Sequence, residues 1–548
     1  MPSESASVWH VATPTQQGIW IVDRIDRLRP TYLIPSVIEF TGLVDHILLA
    51  DAVGRALARH PALRSRFRLE TVHRRVEYRT DGEPAEAGFL DAVAEGWTTD
   101  ELRRLVEVLC YTPFDLGAEP PARAEIIHVG PETTLFVLTV HHIVFDATSR
   151  KLLLDEIGRF YRSALTSEEV LLPEPVHPAQ VQMPIPESEL APRITEVVER
   201  LRGAPTTVDL PYDRRPDAEF SMIGADARTG FDEKVTEGVM AASAEAGCTA
   251  FMTGVAILAA VLARRGTQRD FLFSVVWPGR DDPVSVGVVG MFMSTLVLRV
   301  SLDETTTWRE LLYEARNSSM ATFIDADVPL DALAAELDDK REVGRLPLTP
   351  VLVNLAEVPA PFDLTPGVVG RFKPLEPQYS KWDLALFVHV ADGSRLEFTL
   401  DYPADLFTDE TIDGLLFDLR RGVADLARSP EETVLKPATE TLDLEDPAVR
   451  LDLVRSVWSE VLYNKEFGDD VSFFDAGGDS LRLVVLVEKM REASGRMVKT
   501  VDLFRVGTVR GHAELLVNAE EKQAGVARGG RERMLGAVRE RRAVEPQA

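Results

Sequence analysis

Cysteine is nearly absent from this chain. Cys110 and Cys248 are the only two in 548 residues, too few and too far apart for a disulfide framework or a cysteine-based zinc site. A reducing cytoplasm is the expected compartment. Long apolar runs are missing too. The longest, Phe251 to Leu262, falls short of a membrane span and is followed by Arg264 and Arg265, and no basic, then apolar, leader is expected. Positive charge is scarce: 60 Lys and Arg stand against 88 Asp and Glu, a formal net charge of -28. That balance argues against a general nucleic-acid binder and suits a solvated acidic surface or a basic partner. Neither nucleic acid nor membrane is therefore an expected partner. The remaining composition, 45% hydrophobic and 27% charged, is that of a soluble globular protein, and the length predicts several domains.

What is present centres on Val140 to Arg150, read Val-His-His-Ile-Val-Phe-Asp-Ala-Thr-Ser-Arg. Thr134 to Val140 is a β-branched and aromatic run of strand length. Leu152, Leu153, Ile157, Phe160 and Tyr161 then recur at helical spacing. His141 and His142 thus sit where a strand ends and a helix soon begins. With Asp146, Thr148 and Ser149 they form a candidate acid/base cluster. Successive strand residues point to opposite faces, so both imidazoles enter one site only if the chain bends; one is expected to be chemical and the other structural. Asp146 has a second reading, as the cap of the following helix.

Other segments read as follows. The strand-like LIPSVIEFTG leads to Asp45, a candidate N-cap, and a helix carrying Ile47, Leu49, Val53, Ala56 and Leu57 up to His60-Pro61. Residues 68 to 135 suggest a strand, an acidic helix and a strand. Prolines at 173, 175, 178, 184, 186 and 192 exclude a continuous helix across Leu172 to Pro192, which reads as a crossover. Phe251 to Leu262 reads as a buried helix and Phe271 to Trp277 as a buried strand. Near the C-terminus, Leu451, Val454, Val457, Trp458, Val461 and Leu462 form one helical stripe. Leu483, Val484, Val487 and Met490 form another, opening at Gly477-Gly478-Asp479-Ser480.

The histidine stretch resembles the HHxxxDG signature of nonribosomal peptide synthetase condensation domains. The resemblance makes His142 the catalytic histidine, His141 the structural one and Asp146 the acid that orients the loop. Ala147 replaces the family glycine; if positive φ is needed there, alanine is strained. Further matches fall in family order: Gln16, Gln17 and Trp20; Leu63-Arg64-Ser65-Arg66-Phe67, with the functional weight on Arg64; Tyr111 to Leu116; and Asp209 to Pro216. Next comes Pro278-Gly279-Arg280, whose arginine is implied to pair with Asp146. Val286 to Arg299 matches at Gly287, Gly290, Phe292, Thr295 and Arg299, with Met293-Ser294 in place of Val-Asn. Asp325 to Asp331, Arg345 to Leu348, Lys381-Trp382-Asp383-Leu384 and Asp401 to Phe407 complete the order. Ser149 and Arg64 are read as active-site support.

Val471-Ser-Phe-Phe-Asp-Ala-Gly-Gly-Asp-Ser480-Leu481 resembles the carrier-protein motif whose serine receives 4′-phosphopantetheine. Together these resemblances imply an α/β two-lobed, chloramphenicol-acetyltransferase-like condensation fold followed by a small all-α four-helix carrier domain. The expected boundaries are 1–175 and 176–430 for the two lobes, 431–446 for a short extended linker, 447–520 for the carrier and 521–548 for a basic tail, disordered or docking. No adenylation domain intervenes, so the chain reads as a freestanding condensation-carrier didomain. The implied activity is amide formation between a donor thioester on another carrier and an acceptor amine. The implied partners are a donor carrier protein, an adenylation enzyme acting in trans and a phosphopantetheinyl transferase. Ester formation with a hydroxyl acceptor, a noncatalytic recruitment platform and a CoA-thioester acyltransferase are the alternatives.

Overall fold

The computed structural model describes residues 8–25, 31–182, 185–214, 222–337, 348–356, 360–375, 379–391, 395–435, 446–462, 467–494, 496 and 498–518. The chain divides into two compact units, 1–435 and 436–548. The expected tail from 521, most of the linker, Pro184, and residues 215–216 and 345–347 of two family matches lie outside the described residues.

In the larger unit, two six-stranded sheets supply the frame. The first runs Phe362–Thr365, Val368–Phe372, Leu33–Thr41, Thr133–His141, Ala122–Gly130 and Ala87–Asp91. The second runs Ser294–Ser301, Asp270–Trp277, Val351–Leu355, Leu384–Ala391, Arg395–Pro403 and Gly224–Gly230. The strand Thr133–His141 is buried along nearly its whole length. That explains why its sequence is continuously apolar instead of alternating. The helix Ala250–Arg265 is buried on all sides beneath the second sheet, and no single helix among the described residues is long and apolar enough to cross a membrane.

Three expectations change. A clean division at 175/176 does not hold, because Phe362–Thr365 and Val368–Phe372 from the second half pair into the first sheet alongside Leu33–Thr41. Arg162 holds this hairpin by donating to the Asp363 and Leu364 carbonyls at 3.1 and 3.0 Å. Residues 431–435, assigned to the linker, are packed: Val434 is fully buried and its N–H donates to the Thr306 carbonyl at 2.8 Å. The expectation that the prolines exclude one continuous helix across the crossover holds, though two separate helices form there. Pro178 takes the first position of a short helix, where its missing N–H costs nothing, and the helix Glu187–Leu201 runs through Pro192, its buried face of Val197, Val198 and Leu201 outweighing one lost backbone bond. The stretch from 68 to 135 carries more strand than the pattern suggested, with Arg66–Glu70, Arg75–Arg79 and Ala87–Asp91 preceding the capped helix Thr99–Tyr111.

The smaller unit has four helices among the described residues: Pro447–Leu462, Ser480–Ser494, Thr500–Val506 and Val509–Asn518. They enclose Trp458, whose indole N–H donates to His512 Nδ1 at 3.1 Å while His512 Nε2 donates to the Leu503 carbonyl at 2.8 Å. Satisfying both polar atoms permits a tryptophan and a histidine in so small a core.

Candidate active site

The strand Thr133–His141 ends at the first histidine, and a single 3-10 turn, His142–Val144, follows it. His141 is fully buried. Its Nδ1 accepts the Ile143 N–H at 3.1 Å and its Nε2 lies 3.2 Å from Asp23 Oδ1. With Nδ1 accepting, the proton sits on Nε2, and the ring is a brace between the turn and the helix Pro14–Ile25. His142 has the opposite tautomer: Nδ1 lies 2.7 Å from the Phe145 carbonyl, which can only accept, so Nδ1 carries the proton and Nε2 keeps its lone pair. His142 is also partly exposed. One imidazole thus braces the turn through both nitrogens, and the other keeps a lone pair on Nε2.

Burial, followed by the positive charge of Lys381, pushes the His142 imidazole down to about 3 against the opposing pull of the Phe145 carbonyl. The ring is therefore neutral at physiological pH.

Around this turn the chain builds a rigid collar. Asp146 both caps the helix Ala147–Thr166, accepting the Ser149 N–H at 2.8 Å, and pairs with Arg280 through contacts of 2.7, 2.8 and 3.1 Å. Its two sequence readings are both true at once. The pair is almost dry, with side chains 5% and 2% exposed, so the fork geometry and the additional bonds are what offset its desolvation. Arg280 also donates to the Ser285 and Val288 carbonyls and stacks 4.2 Å from the Phe292 ring centroid. Ser149 Oγ donates to the Gly290 carbonyl at 2.9 Å and accepts the Gly290 N–H at 3.0 Å. Gly279 is obligatory: its φ is +65°, and a Cβ would stand 2.0 Å from the Phe292 carbonyl oxygen. From the other side Gln16 Nε2 donates to the Ile143 carbonyl at 2.9 Å.

Two sequence readings need revision here. Ala147 is not strained: it is the exposed first residue of the helix and does not adopt positive φ. Arg64 does not join the collar. It ends a 3-10 turn, Pro61–Arg64, and its buried Nε has no hydrogen-bond partner. The neighbouring Arg66 carries the structural load, donating to the carbonyls of Ala118, Ser65 and Glu83. Met293 packs against the first lobe's core and Ser294 opens a strand registered against Trp277.

Sequence reasoning missed Asp23, which carries no local signal. It also gave Tyr32 no role, although the Tyr32 carbonyl accepts the His142 N–H at 2.7 Å. A groove of about 360 Å³ along Glu187–Leu201 contains none of these residues.

In the smaller unit, Phe473 is buried edge-to-face on Trp458, 5.0 Å between centroids, while Phe474 is exposed. The turn that follows is built from glycine. Gly477 has φ +101°, and a Cβ on Gly478 would lie 2.4 Å from the Phe473 ring. Asp479 Oδ1 accepts the Arg482 N–H at 2.8 Å and caps a helix whose first residue is Ser480. The two glycines are needed for different reasons: Gly477 for its positive φ, with open space around it, and Gly478 for its close approach to Phe473.

Comparison with known proteins now decides the family. The condensation domain model matches residues 10–442. The chain belongs to the condensation-domain family of nonribosomal peptide synthetases. The phosphopantetheine attachment site model matches residues 452–516, so a carrier domain bearing covalent phosphopantetheine follows the condensation domain. A linear gramicidin synthase from Brevibacillus parabrevis is 27% identical over 416 residues, 73% of this chain but 8% of that protein's length. Among solved structures, the X-domain from teicoplanin biosynthesis aligns with TM-score 0.68 at 20% identity, covering 79% of this chain and 98% of its own. The first condensation domain of the CDA synthetase aligns with TM-score 0.64 at 21% identity, covering 78% and 98%. These two establish the two-lobed α/β condensation fold.

Proposed function

We propose that this chain joins a carrier-bound acyl or aminoacyl thioester to an acceptor amine, with His142 as the base and Ser480 as the attachment point of the chain's own arm. The observation that carries this reading is the tautomer of His142: Nδ1–H is committed to the Phe145 carbonyl, which leaves a neutral, unprotonated Nε2. As the amine nitrogen forms its bond to the thioester carbonyl carbon, Nε2 takes the proton that nitrogen must lose. Collapse then breaks the carbon–sulfur bond, and the proton passes to the departing sulfur, which leaves Nε2 free again. A positioned base of this kind typically contributes on the order of 10²- to 10⁴-fold. Asp146, Arg280 and Ser149 keep the turn in register, and His141 with Asp23 braces it. Arg64 lies outside this machinery.

Phosphopantetheine on Ser480 supplies a flexible arm with a terminal thiol for thioester attachment. The acceptor amine is loaded by an adenylation enzyme in trans after a phosphopantetheinyl transferase has modified the serine, and a separate donor carrier protein supplies the acyl group.

The test is intact mass after incubation with CoA and a broad-specificity phosphopantetheinyl transferase, beside Ser480→Ala. A gain of one phosphopantetheine on the native chain alone is expected. No gain on folded native protein, or an equal gain on Ser480→Ala, overturns the assignment of Ser480.

A further inference from the structure

A buried lysine next to the collar is unused by the mechanism above. Lys381 lies between Ser380 and Trp382, in a stretch pinned inside the second lobe. Ser380 donates its N–H to the Met222 carbonyl at 2.9 Å, Ser380 Oγ bonds the Trp382 carbonyl and Asp401, and Asp383 N–H donates to the Pro350 carbonyl at 2.9 Å. From this anchored backbone the side chain leaves its own lobe. Its Nζ sits 4.1 Å from the ring centroid of Tyr32 in the first lobe, a cation over an aromatic face. Tyr32 immediately precedes the strand Leu33–Thr41, in which Leu33 is registered against His141, and its carbonyl holds the His142 N–H at 2.7 Å. One ring and one peptide group therefore separate the ammonium from the backbone of His142.

We infer that Lys381 is a positioning residue for the reaction: from the opposite lobe its ammonium lies over Tyr32, whose carbonyl holds the His142 N–H, and so couples the His142 turn to the second lobe. The inference rests on the reading of His142 as the reaction's base.

The surrounding charges are consistent with this role. After burial, the Lys381 charge is the largest influence lowering the His142 pKa, with His141 a smaller one. Burial brings Lys381 itself down to about 8, opposed by Asp401. Asp401 is raised to about 6, chiefly by burial, with Asp226 also raising it and Ser380 and Lys381 lowering it. Burial, and after it the charges of Asp23 and Asp331, push the Tyr32 phenol up to about 12, so the ring stays neutral beneath the ammonium. Influence between two titrating groups is mutual. His142 must therefore sense the charge state of Lys381.

The experiment uses the full chain labelled with 13C in the histidine rings, the His142 signal being assigned with His142→Gln. Its chemical shift is followed from pH 5 to 10, and no substrate is required. In the native protein His142 shows no titration near the ordinary value of 6.5, but its signal moves with an inflection near 8. Lys381→Arg keeps the charge and abolishes that inflection. Lys381→Met also abolishes it and raises the proton affinity of His142 on the order of tenfold. An ordinary midpoint in the native protein, or an inflection near 8 that survives in Lys381→Arg, overturns the inference. Should Lys381→Met fail to fold, the native and Lys381→Arg titrations decide the matter alone. An inflection in a protein that makes no product would retire the function and keep the lysine–histidine coupling.

Discussion

The His142 turn and the Ser480 turn each carry one candidate functional residue, yet they are built in opposite ways. The His142 turn depends on residues far away in sequence: Asp146 meets Arg280 across 134 positions, Ser149 meets Gly290 across 141, His141 meets Asp23 across 118 and Gln16 meets Ile143 across 127. The Ser480 turn is nearly self-contained. Gly478 N–H bonds the Phe473 carbonyl, Asp479 caps the residue three ahead, and Arg482 reaches back five to the Gly477 carbonyl at 2.7 Å. The difference suits the roles proposed for the two residues. A general base needs a held tautomer and a dry setting, which only converging elements supply. A serine that is modified by another enzyme needs exposure and little else.

The largest expected effect comes from breaking the long-range collar. Arg280→Met leaves the Asp146 carboxylate buried and unpaired and costs about 3 to 5 kcal/mol. Denaturant unfolding should show the loss in the larger unit, with condensation abolished and phosphopantetheine transfer to Ser480 unchanged. Next is the cost of the buried lysine. Lys381 is lowered from 10.5 to about 8 in the folded state, so between those values the unfolded chain binds more protons and stability rises with pH. Below 8 the buried ammonium costs up to about 3 kcal/mol. Lys381→Met should therefore unfold at a higher temperature than native at pH 7, with the advantage shrinking toward pH 10. A constant difference across that range would contradict it.

The local turn breaks more cheaply. Gly478→Ala forces a methyl against the Phe473 ring and should cost the carrier on the order of 1 to 3 kcal/mol. Slower phosphopantetheine transfer is expected, while the larger unit's unfolding stays in place. The smallest effect is Ala147→Gly. Restoring the family residue at an exposed helical position changes stability by at most about 1 kcal/mol, and a twofold or smaller change in condensation rate is expected.

The same contrast explains what the sequence made readable. The hydrogen bonds of Gly478, Asp479 and Arg482 that shape the Ser480 turn lie within a few residues, so the motif contained most of its own structure; only its anchoring through Phe473 to Trp458 and the Gly507 carbonyl reaches farther. The strand before His142 and the helix after Asp146 were readable from period and β-branching. The Arg280 partnership was reached only through family resemblance. Asp23 was invisible because nothing in the helix Pro14–Ile25 marks which acid meets His141. The hairpin Phe362–Phe372 was misplaced for a related reason: pairing across more than 300 residues with Leu33–Thr41 leaves no local trace. At Ala147 the condition of positive φ is not met, because the position is an ordinary helix start, which the family glycine alone does not reveal. Arg64 was weighted through the family resemblance, which does not say that Arg66, two residues on and at the start of the next strand, makes the hydrogen bonds to the surrounding carbonyls.

The most direct test of the central claim is the product formed when the holo protein, its arm carrying an amine acceptor, meets donor carriers charged with a panel of acyl and aminoacyl thioesters. Native protein and His142→Ala are compared by intact mass. Acylated acceptor is expected on the native chain, with a loss on the order of 10²- to 10⁴-fold in His142→Ala and the loading of Ser480 unaltered. Equal product from both proteins would contradict that claim and make the condensation fold a platform on which other enzymes do the chemistry.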